Sequence, residues 1–397
     1  MSEIKVNSIK GVGASAAAIT VNNTDGTCTA NLTNRTNKNL IINGAMQVAQ
    51  RGTSNTTNNY GTVDRFRISY SNTDEDITQS QINVSSGTTP YTLGFRKAYK
   101  LTNGNQTSGA GADDSVYLRQ RIEAQNIANS GWNYNSSSSF LSLQFWIKSS
   151  VAQDFNGHLR SRDGTEQIFP FQTGSLTADT WTKVTKTIAG NSNLTFENDN
   201  GNGLDFVLFG FRGTNSTDNS ATNDVWQAYS SGIFGGKDQT STWYTTNDAT
   251  LEITGVQLEV GSVATDFEHR SFGQELALCQ RYFFAIPYGS SSNNTQFISS
   301  IDTFAKSATE LRAQVHFPVP MREAASYTGS ATNIEFNTDN SSDYFNANGF
   351  SNYLTITGEN SYGMSLRKTD AVSMTTGQPG HLIFRATGGF LQFSAEL

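Results

Sequence analysis

Hydrophobic and polar residues alternate most regularly in Phe140-Leu141-Ser142-Leu143-Gln144-Phe145-Trp146-Ile147-Lys148, where Leu141, Leu143, Phe145 and Ile147 share one face. A period of two is that of a β-strand with one buried side. The other face carries Ser142, Gln144, Trp146 and Lys148, so Trp146 is expected on the polar side of a sheet or under a covering loop. The same reading predicts strands over Tyr117 to Glu123, Trp181 to Ile188, Leu204 to Phe211 and Ala249 to Val260. In Leu204-Asp205-Phe206-Val207-Leu208-Phe209 both faces become apolar, as in a central strand covered on both sides. Turn-forming runs separate the strands: Asp154-Phe155-Asn156-Gly157, Asp163-Gly164 and Asn198-Asp199-Asn200-Gly201-Asn202-Gly203. Short strands recurring in this way predict an all-β sandwich or barrel over residues 39–270.

One helix interrupts the pattern. Ser271-Phe272-Gly273-Gln274 has capping-box spacing. Phe272, Leu276, Cys279 and Phe283 then recur at steps of four, three and four, which predicts one apolar stripe on a helix from Phe272 to Phe284. Glu275, Gln280 and Arg281 fall on its other sides, and Pro287 ends it. Residues 271–284 therefore read as a linker helix. Beyond it, Leu311, Ala313, Val315, Phe317 and Val319 alternate with Arg312, Gln314, His316 and Pro318. Tyr353 to Thr357, His381 to Arg385 and Phe390 to Phe393 continue the strand pattern, so residues 285–397 are expected to form a smaller antiparallel, sandwich-like β domain.

The first 38 residues differ. Ile4, Val6, Ile9, Ile19 and Val21 stand isolated among Gly, Ala, Ser, Thr and Asn, with too little bulk to close a core. The segment is either a loose tail or an extended arm that buries these residues between copies of the chain or against another protein.

Composition narrows the chemistry. The 397 residues are 36% hydrophobic and 15% charged, and Ser, Thr and Asn make up about a third of them. The 25 Phe, 14 Tyr and 5 Trp supply apolar area for folded cores. A mean hydropathy of −0.44 without a long apolar run excludes a helical membrane span. A net charge of −7, from 27 Lys plus Arg against 34 Asp plus Glu, argues against nucleic acid as a partner. The start Met1-Ser2-Glu3-Ile4-Lys5-Val6 lacks the pattern of a secretory signal, so synthesis in a cytoplasm is expected. Cys28 and Cys279 are too few for a disulfide framework and are expected to be reduced.

No catalytic constellation emerges. His158, His269, His316 and His381 are scattered, and no zinc motif, phosphate-cradling loop, nucleophile elbow or dinucleotide fingerprint is present. The acid pairs Asp74/Asp76 and Asp113/Asp114 serve glycoside hydrolysis only if two carboxyls flank one bond, which spacing does not decide; otherwise they are solvated loop residues. What remains is a binding surface. Trp132 with Tyr134, Trp226 with Tyr229, and Trp243 with Tyr244 lie in loop-rich stretches among Asn, Asp and Gln. Aromatic faces stack on sugar rings while amides and hydroxyls meet sugar hydroxyls, so these six are candidate ligand platforms; packing or subunit contact is the alternative for each.

Five stretches carry a resemblance: Asn39 to Gly52 (NLIINGAMQVAQRG), Leu251 to Gly261 (LEITGVQLEVG), Phe267 to Tyr282 (FEHRSFGQELALCQRY), Phe317 to Arg322 (FPVPMR) and Phe393 to Leu397 (FSAEL). The first resembles the start of a jelly-roll module common in bacteriophage tail-fibre and related virion proteins, and the others resemble later parts of the same proteins. The resemblance implies a homotrimeric appendage on the virion, with an N-terminal arm docking to other particle proteins. It also implies a jelly roll similar to carbohydrate-binding modules, a short helix, and a distal β domain. Sugar-binding jelly rolls often hold a structural calcium through an acid near the module start and another near its last strand. Here Gln47 stands at the first place, and Ile253-Thr254-Gly255-Val256 carries no Asp, so no cofactor or metal is expected. The leading expectation is a non-enzymatic structural protein of the tail-fibre type that adheres to host-surface glycans, with no nucleic-acid partner and no membrane insertion. A head-fibre, decoration or adaptor protein without a receptor, and a capsular polysaccharide depolymerase, are the alternatives.

Overall fold

The computed structural model describes residues 8–9, 19–21, 28–30, 37–287, 296–297, 301–329, 334–337, 344–346, 362–368, 375–384 and 390–397. Residues 54–260 hold two antiparallel six-stranded sheets. The first runs edge to edge through Gln227–Ala228, Gln167–Gln172, Asn156–Ser161, Asn202–Arg212, Ser115–Glu123 and Arg67–Ser71. The second runs through Thr182–Ala189, Phe140–Ser149, Thr250–Val260, Lys97–Thr102, Thr78–Asn83 and Ser54–Asn55. From Phe140 onward the chain crosses repeatedly from one sheet to the other, which makes the sandwich a jelly roll.

The alternation that marks the Phe140 strand decides its packing. Leu141, Leu143, Phe145 and Ile147 enter one core with Leu118, Leu159, Phe206 and Leu208 of the first sheet. Phe145 meets Phe206 edge-on at 6.0 Å between ring centres, bridging the two sheets. Trp146, on the opposite face, is half-buried in a satellite cluster with Phe95, Ala98 and Trp181.

The stretches that carry the resemblance close this sandwich. Asn39 donates from its side chain to the Val256 carbonyl at 3.1 Å and accepts from the Ile41 and Leu258 amides, both at 3.0 Å. Asn43 joins the Val48 and Asp64 carbonyls and the Val48 amide in the same way. A Cβ on Gly44 would stand 2.0 Å from the Val256 oxygen, so only glycine admits that approach. Gly255, at φ +65°, sits where the Thr250–Val260 strand slips register between Thr254 and Gln257.

The helix spans Phe272–Gln280, with the capping box of Ser271 and Gln274 formed. Its buried face is not the expected stripe. Glu275 and Cys279, one turn apart, face inward, whereas Phe272 is 56% exposed and Leu276 only half-buried. The Asn43 amide donates to the Glu275 carboxylate at 2.6 Å and Arg270 lies at 3.4 Å, so a paired acid occupies the core side. Phe283 is buried, but in the strand Phe283–Pro287 rather than on the helix.

That strand joins Phe390–Ser394 and Ser326–Gly329 in a three-stranded antiparallel sheet. A larger antiparallel sheet contains Ile301–Ser307, Glu310–His316, Gly363–Lys368 and Pro379–Phe384. Leu311, Ala313 and Val315 form a second core with Phe317, Leu391 and Phe393. The Glu310–His316 strand stops two residues before Pro318, which has no amide to donate to a ladder. Tyr353 to Thr357 lie outside the described residues, as do Ile4 and Val6. Of the remaining arm residues, Ile19 and Val21 belong to a small sheet made of Ser8–Ile9, Ile19–Val21 and Cys28–Ala30. Ile9 is 54% exposed, and Ile19 and Val21 are half-buried.

Candidate functional site

Three of the six aromatic candidates are buried and cannot face a ligand. Trp243 and Tyr244 lie on the short helix Thr242–Thr245 with 0% and 1% exposure. Tyr244 stacks on Phe211 at 4.6 Å and donates to Asp114 at 3.1 Å; Trp243 fills the space that the missing side chain of Gly210 leaves. Trp132, 3% exposed, packs with Tyr134 and Phe196 and donates its indole N–H to the Ser139 carbonyl at 3.3 Å. Their loop-rich surroundings are covers over the sandwich ends, and burial is what large aromatics contribute there. Tyr134 is half-buried in the same cluster. Trp226 is half-buried against Phe169 and donates to the Ala189 carbonyl at 2.9 Å. Tyr229, also half-buried, meets a cluster of charged groups instead, with the Arg160 guanidinium 3.3 Å from its ring centre.

That arrangement is the outer face of the first sheet. Strand alternation puts Leu118, Leu159, Phe206 and Leu208 into the core and Tyr117, Arg119, Arg121, His158, Arg160, Asp205, Val207 and Phe209 on the other side. Register then sorts them into rows across the strands. One row reads Arg67, Arg119, Val207, His158, Pro170. The next reads Arg121, Asp205, Arg160, Ile168, Gln227. A third brings Ser69, Tyr117 and Phe209 together. Phe234, from the loop after Arg212, lies against Tyr117, His158 and Phe209 at 5.4, 5.1 and 5.4 Å.

Charge on this face is divided unevenly. Asp205, 1% exposed, lies 3.6 Å from Arg121 and 4.0 Å from Arg162. Glu166 pairs with Arg160 and, at 3.0 Å, with Arg162. Arg67 and Arg119 have no carboxylate partner among the described residues, although they stand directly opposite each other on neighbouring strands. Like charges so placed cost roughly 0.2–1 kcal/mol. The Nε atoms of Arg67 and Arg119 are buried without a hydrogen-bond partner. The Nε atoms of Arg121 and Arg160 are unmet as well, so what sets Arg67 and Arg119 apart in these two rows is the missing carboxylate. Burial first, then Arg119 beside it, hold Arg121 below the usual arginine range.

His158 lies in the same row, fully buried under Phe234. Burial first, then the neighbouring Arg160 charge, bring its pKa down to about 3. Neither ring nitrogen is hydrogen-bonded; the Phe234 carbonyl lies near enough to favour the protonated ring slightly, outweighed by burial. The ring is therefore neutral near pH 7.

Three of the four paired acids brace loops. Asp74 accepts from the Ser108 amide at 2.7 Å and its hydroxyl at 2.8 Å. Asp114 accepts from the Gly111 amide at 2.7 Å as well as from Tyr244, and Asp113 from Asn215 at 2.8 Å. No group of three or more His, Cys, Asp or Glu among the described residues is arranged to hold a metal. A cavity of about 1000 Å³ opens beside Lys38, Gln125 and the Val260–Asp266 loop. Of the two acids that line it, Glu259 is already engaged by the Thr265 amide and hydroxyl, both at 2.7 Å.

The arginine face is what reading the sequence missed. Its signal is nevertheless present as arginines two residues apart in strand-forming stretches: Arg65/Arg67, Arg119/Arg121 and Arg160/Arg162. Alternation sends the members of the last two pairs to one face. Arg65 is the exception, since it is buried and turns to Glu396 and to the Arg121 carbonyl.

No protein-family model and no curated protein matches the sequence. Among solved structures the chain is similar to the enzymatically active domain of bacteriophage CBA120 tailspike protein 4, at 12% identity and a TM-score of 0.30. The match covers 56% of this chain and 21% of that one, so the chain spans about a fifth of that domain's length. A putative sugar binding protein from Bacteroides thetaiotaomicron gives 13% identity, 56% and 100% coverage and a TM-score of 0.32. A tandem pair of carbohydrate-binding modules (CBM22-1-CBM22-2) from Paenibacillus barcinonensis Xyn10C gives 8% identity, 90% coverage of each chain and a TM-score of 0.26. Likenesses of this size assign no ligand to this chain.

Proposed function

We propose that this chain is a non-enzymatic adhesion protein of the bacteriophage tail-fibre type, which works as a homotrimer and holds host-surface glycan on the outer face of its first sheet. The observation that carries the binding reading is the row of Arg67 and Arg119 beside Tyr117 and Ser69: two cations without a carboxylate partner among the described residues, next to two hydroxyl side chains. Sugars are hydrated ligands, and the half-buried polar side chains of Arg67, Ser69, Tyr117 and Arg119 suit them. Weak single sites suffice, because three linked copies raise the effective concentration of the second and third contacts. The engagement of Asp74, Asp113 and Asp114 in loop bracing supports a role without hydrolysis.

The test is to present the full chain to immobilised host-surface polysaccharide while measuring its mass in solution by light scattering. Retention by the polysaccharide, a trimer mass and no release of reducing ends are expected. A monomer that is not retained, or one that depolymerises the polysaccharide, overturns the reading.

A further inference from the structure

Resting on the glycan-binding reading above, we infer that the ligand is an anionic polysaccharide, whose carboxylate or sulfate oxygens are taken by Arg67 and Arg119. A guanidinium offers donors only, so a pair of them gives a neutral sugar hydroxyl nothing to donate to. An anionic oxygen matches them, and charge-assisted bonds of this kind are about twice as strong as neutral ones. Neighbouring strands lie about 4.8 Å apart, so the opposed Arg67 and Arg119 can close on one anionic group or on two successive ones. The adjoining arginines have carboxylates of their own: Arg121 lies beside Asp205, and Arg160 and Arg162 are paired with Glu166. Ser69 and Tyr117, one row away, add hydroxyls for the uncharged part of the sugar. A nucleic acid would need a track of phosphate contacts. Here two uncompensated cations stand together on a chain of net charge −7.

The experiment titrates the full chain with polygalacturonate, with its fully methyl-esterified counterpart, and with a single-stranded oligothymidylate, each in 0.15 M salt. The expected result is at least tenfold tighter binding of polygalacturonate than of the ester or the oligonucleotide. Arg67→Ala/Arg119→Ala should remove that preference, and Arg67→Lys/Arg119→Lys, which keeps the charge, should restore part of it. Lys100→Ala/Lys183→Ala, with the same charge change on the outer face of the other sheet, should leave it within twofold. Unchanged melting temperatures show that each variant folds. Equal binding of acid and ester overturns the charge assignment and leaves the glycan reading standing; no binding of either overturns both. Preference for polygalacturonate that survives Arg67→Ala/Arg119→Ala overturns the site, and equal or tighter binding of the oligonucleotide overturns the ligand class.

Discussion

Arg281 closes on Glu123 with two parallel hydrogen bonds, Nε to Oε1 and Nη2 to Oε2, both 2.7 Å long. Glu123 ends the Ser115–Glu123 strand and is fully buried, while Arg281 follows the last turn of the Phe272–Gln280 helix. Tyr282 donates its hydroxyl to the same carboxylate. The ring of Tyr282 in turn carries the Arg65 guanidinium 3.4 Å from its centre, and Arg65 pairs with Glu396. A chain of charged and aromatic contacts thus ties the sandwich to the start and the end of the smaller β unit.

Removing one member of a buried pair leaves the other charge without compensation. Arg281→Ala should therefore destabilise the protein by about 3 kcal/mol. Replacing both, as Glu123→Gln/Arg281→Met, should cost less than Arg281→Ala alone. Urea unfolding followed by fluorescence checks both values.

Acidity should act in two opposite directions. Burial raises Asp64 from 3.8 to about 6, against the pull of Arg51. Between those values the folded protein binds a proton that the unfolded chain does not, so stability rises as the pH falls from 7 to 5. Burial also pushes Glu123 up, but the bonds from Arg281 and Tyr282 outweigh it and hold the carboxyl below the usual range. Its contribution is present above the unfolded value of 4.5 and is lost as the pH drops through the lower, folded one. Melting temperatures should climb from pH 7 to 5 and fall below about 4. Asp64→Asn should flatten the first limb and spare the second.

Gly44→Ala tests how the module closes. The added methyl would meet the Val256 oxygen at 2.0 Å, a backbone atom held in place by its strand. A loss of about 1–3 kcal/mol is expected, read as a lowered midpoint of thermal unfolding.

Much of the scaffold was legible because its strands keep one face apolar. The Phe140–Ser149 strand declares itself through Leu141, Leu143, Phe145 and Ile147, and the Asn202–Arg212 strand through apolar residues on both faces. The helix was legible in its cap but not in its buried side, because Glu275 is held there by the Asn43 amide, more than 200 residues earlier in the chain. No local pattern reports such a partner. Trp132, Trp243 and Tyr244 were misplaced for a related reason: an aromatic in a polar loop looks the same whether the loop folds over it or leaves it open. The arginine face escaped because total charge hides distribution. Arg67 and Arg119 become neighbours only once the register of two strands is fixed.

Those two kinds of residue should respond differently to truncation. Trp243→Ala removes a fully buried ring and should cost about 3–5 kcal/mol. Tyr117→Ala, from a half-buried ring on the outer face, should cost about 1 kcal/mol and weaken glycan binding about tenfold. Paired melting and binding measurements separate the two.

Binding itself should be nearly independent of pH between 5 and 8. Burial keeps the His158 ring neutral over this range, and guanidinium groups in general do not lose their proton there. Titrations with a sulfated glycan, whose own charge is constant in this range, check this directly.

The most direct measurement is arginine footprinting with a glyoxal reagent, read by mass spectrometry, on the full chain with and without saturating host-surface polysaccharide. Arg67 and Arg119 should react in the free protein and become protected, while Arg96, on the far side of the sandwich, reacts equally in both. Saturated binding that leaves Arg67 and Arg119 as reactive as before would contradict the account.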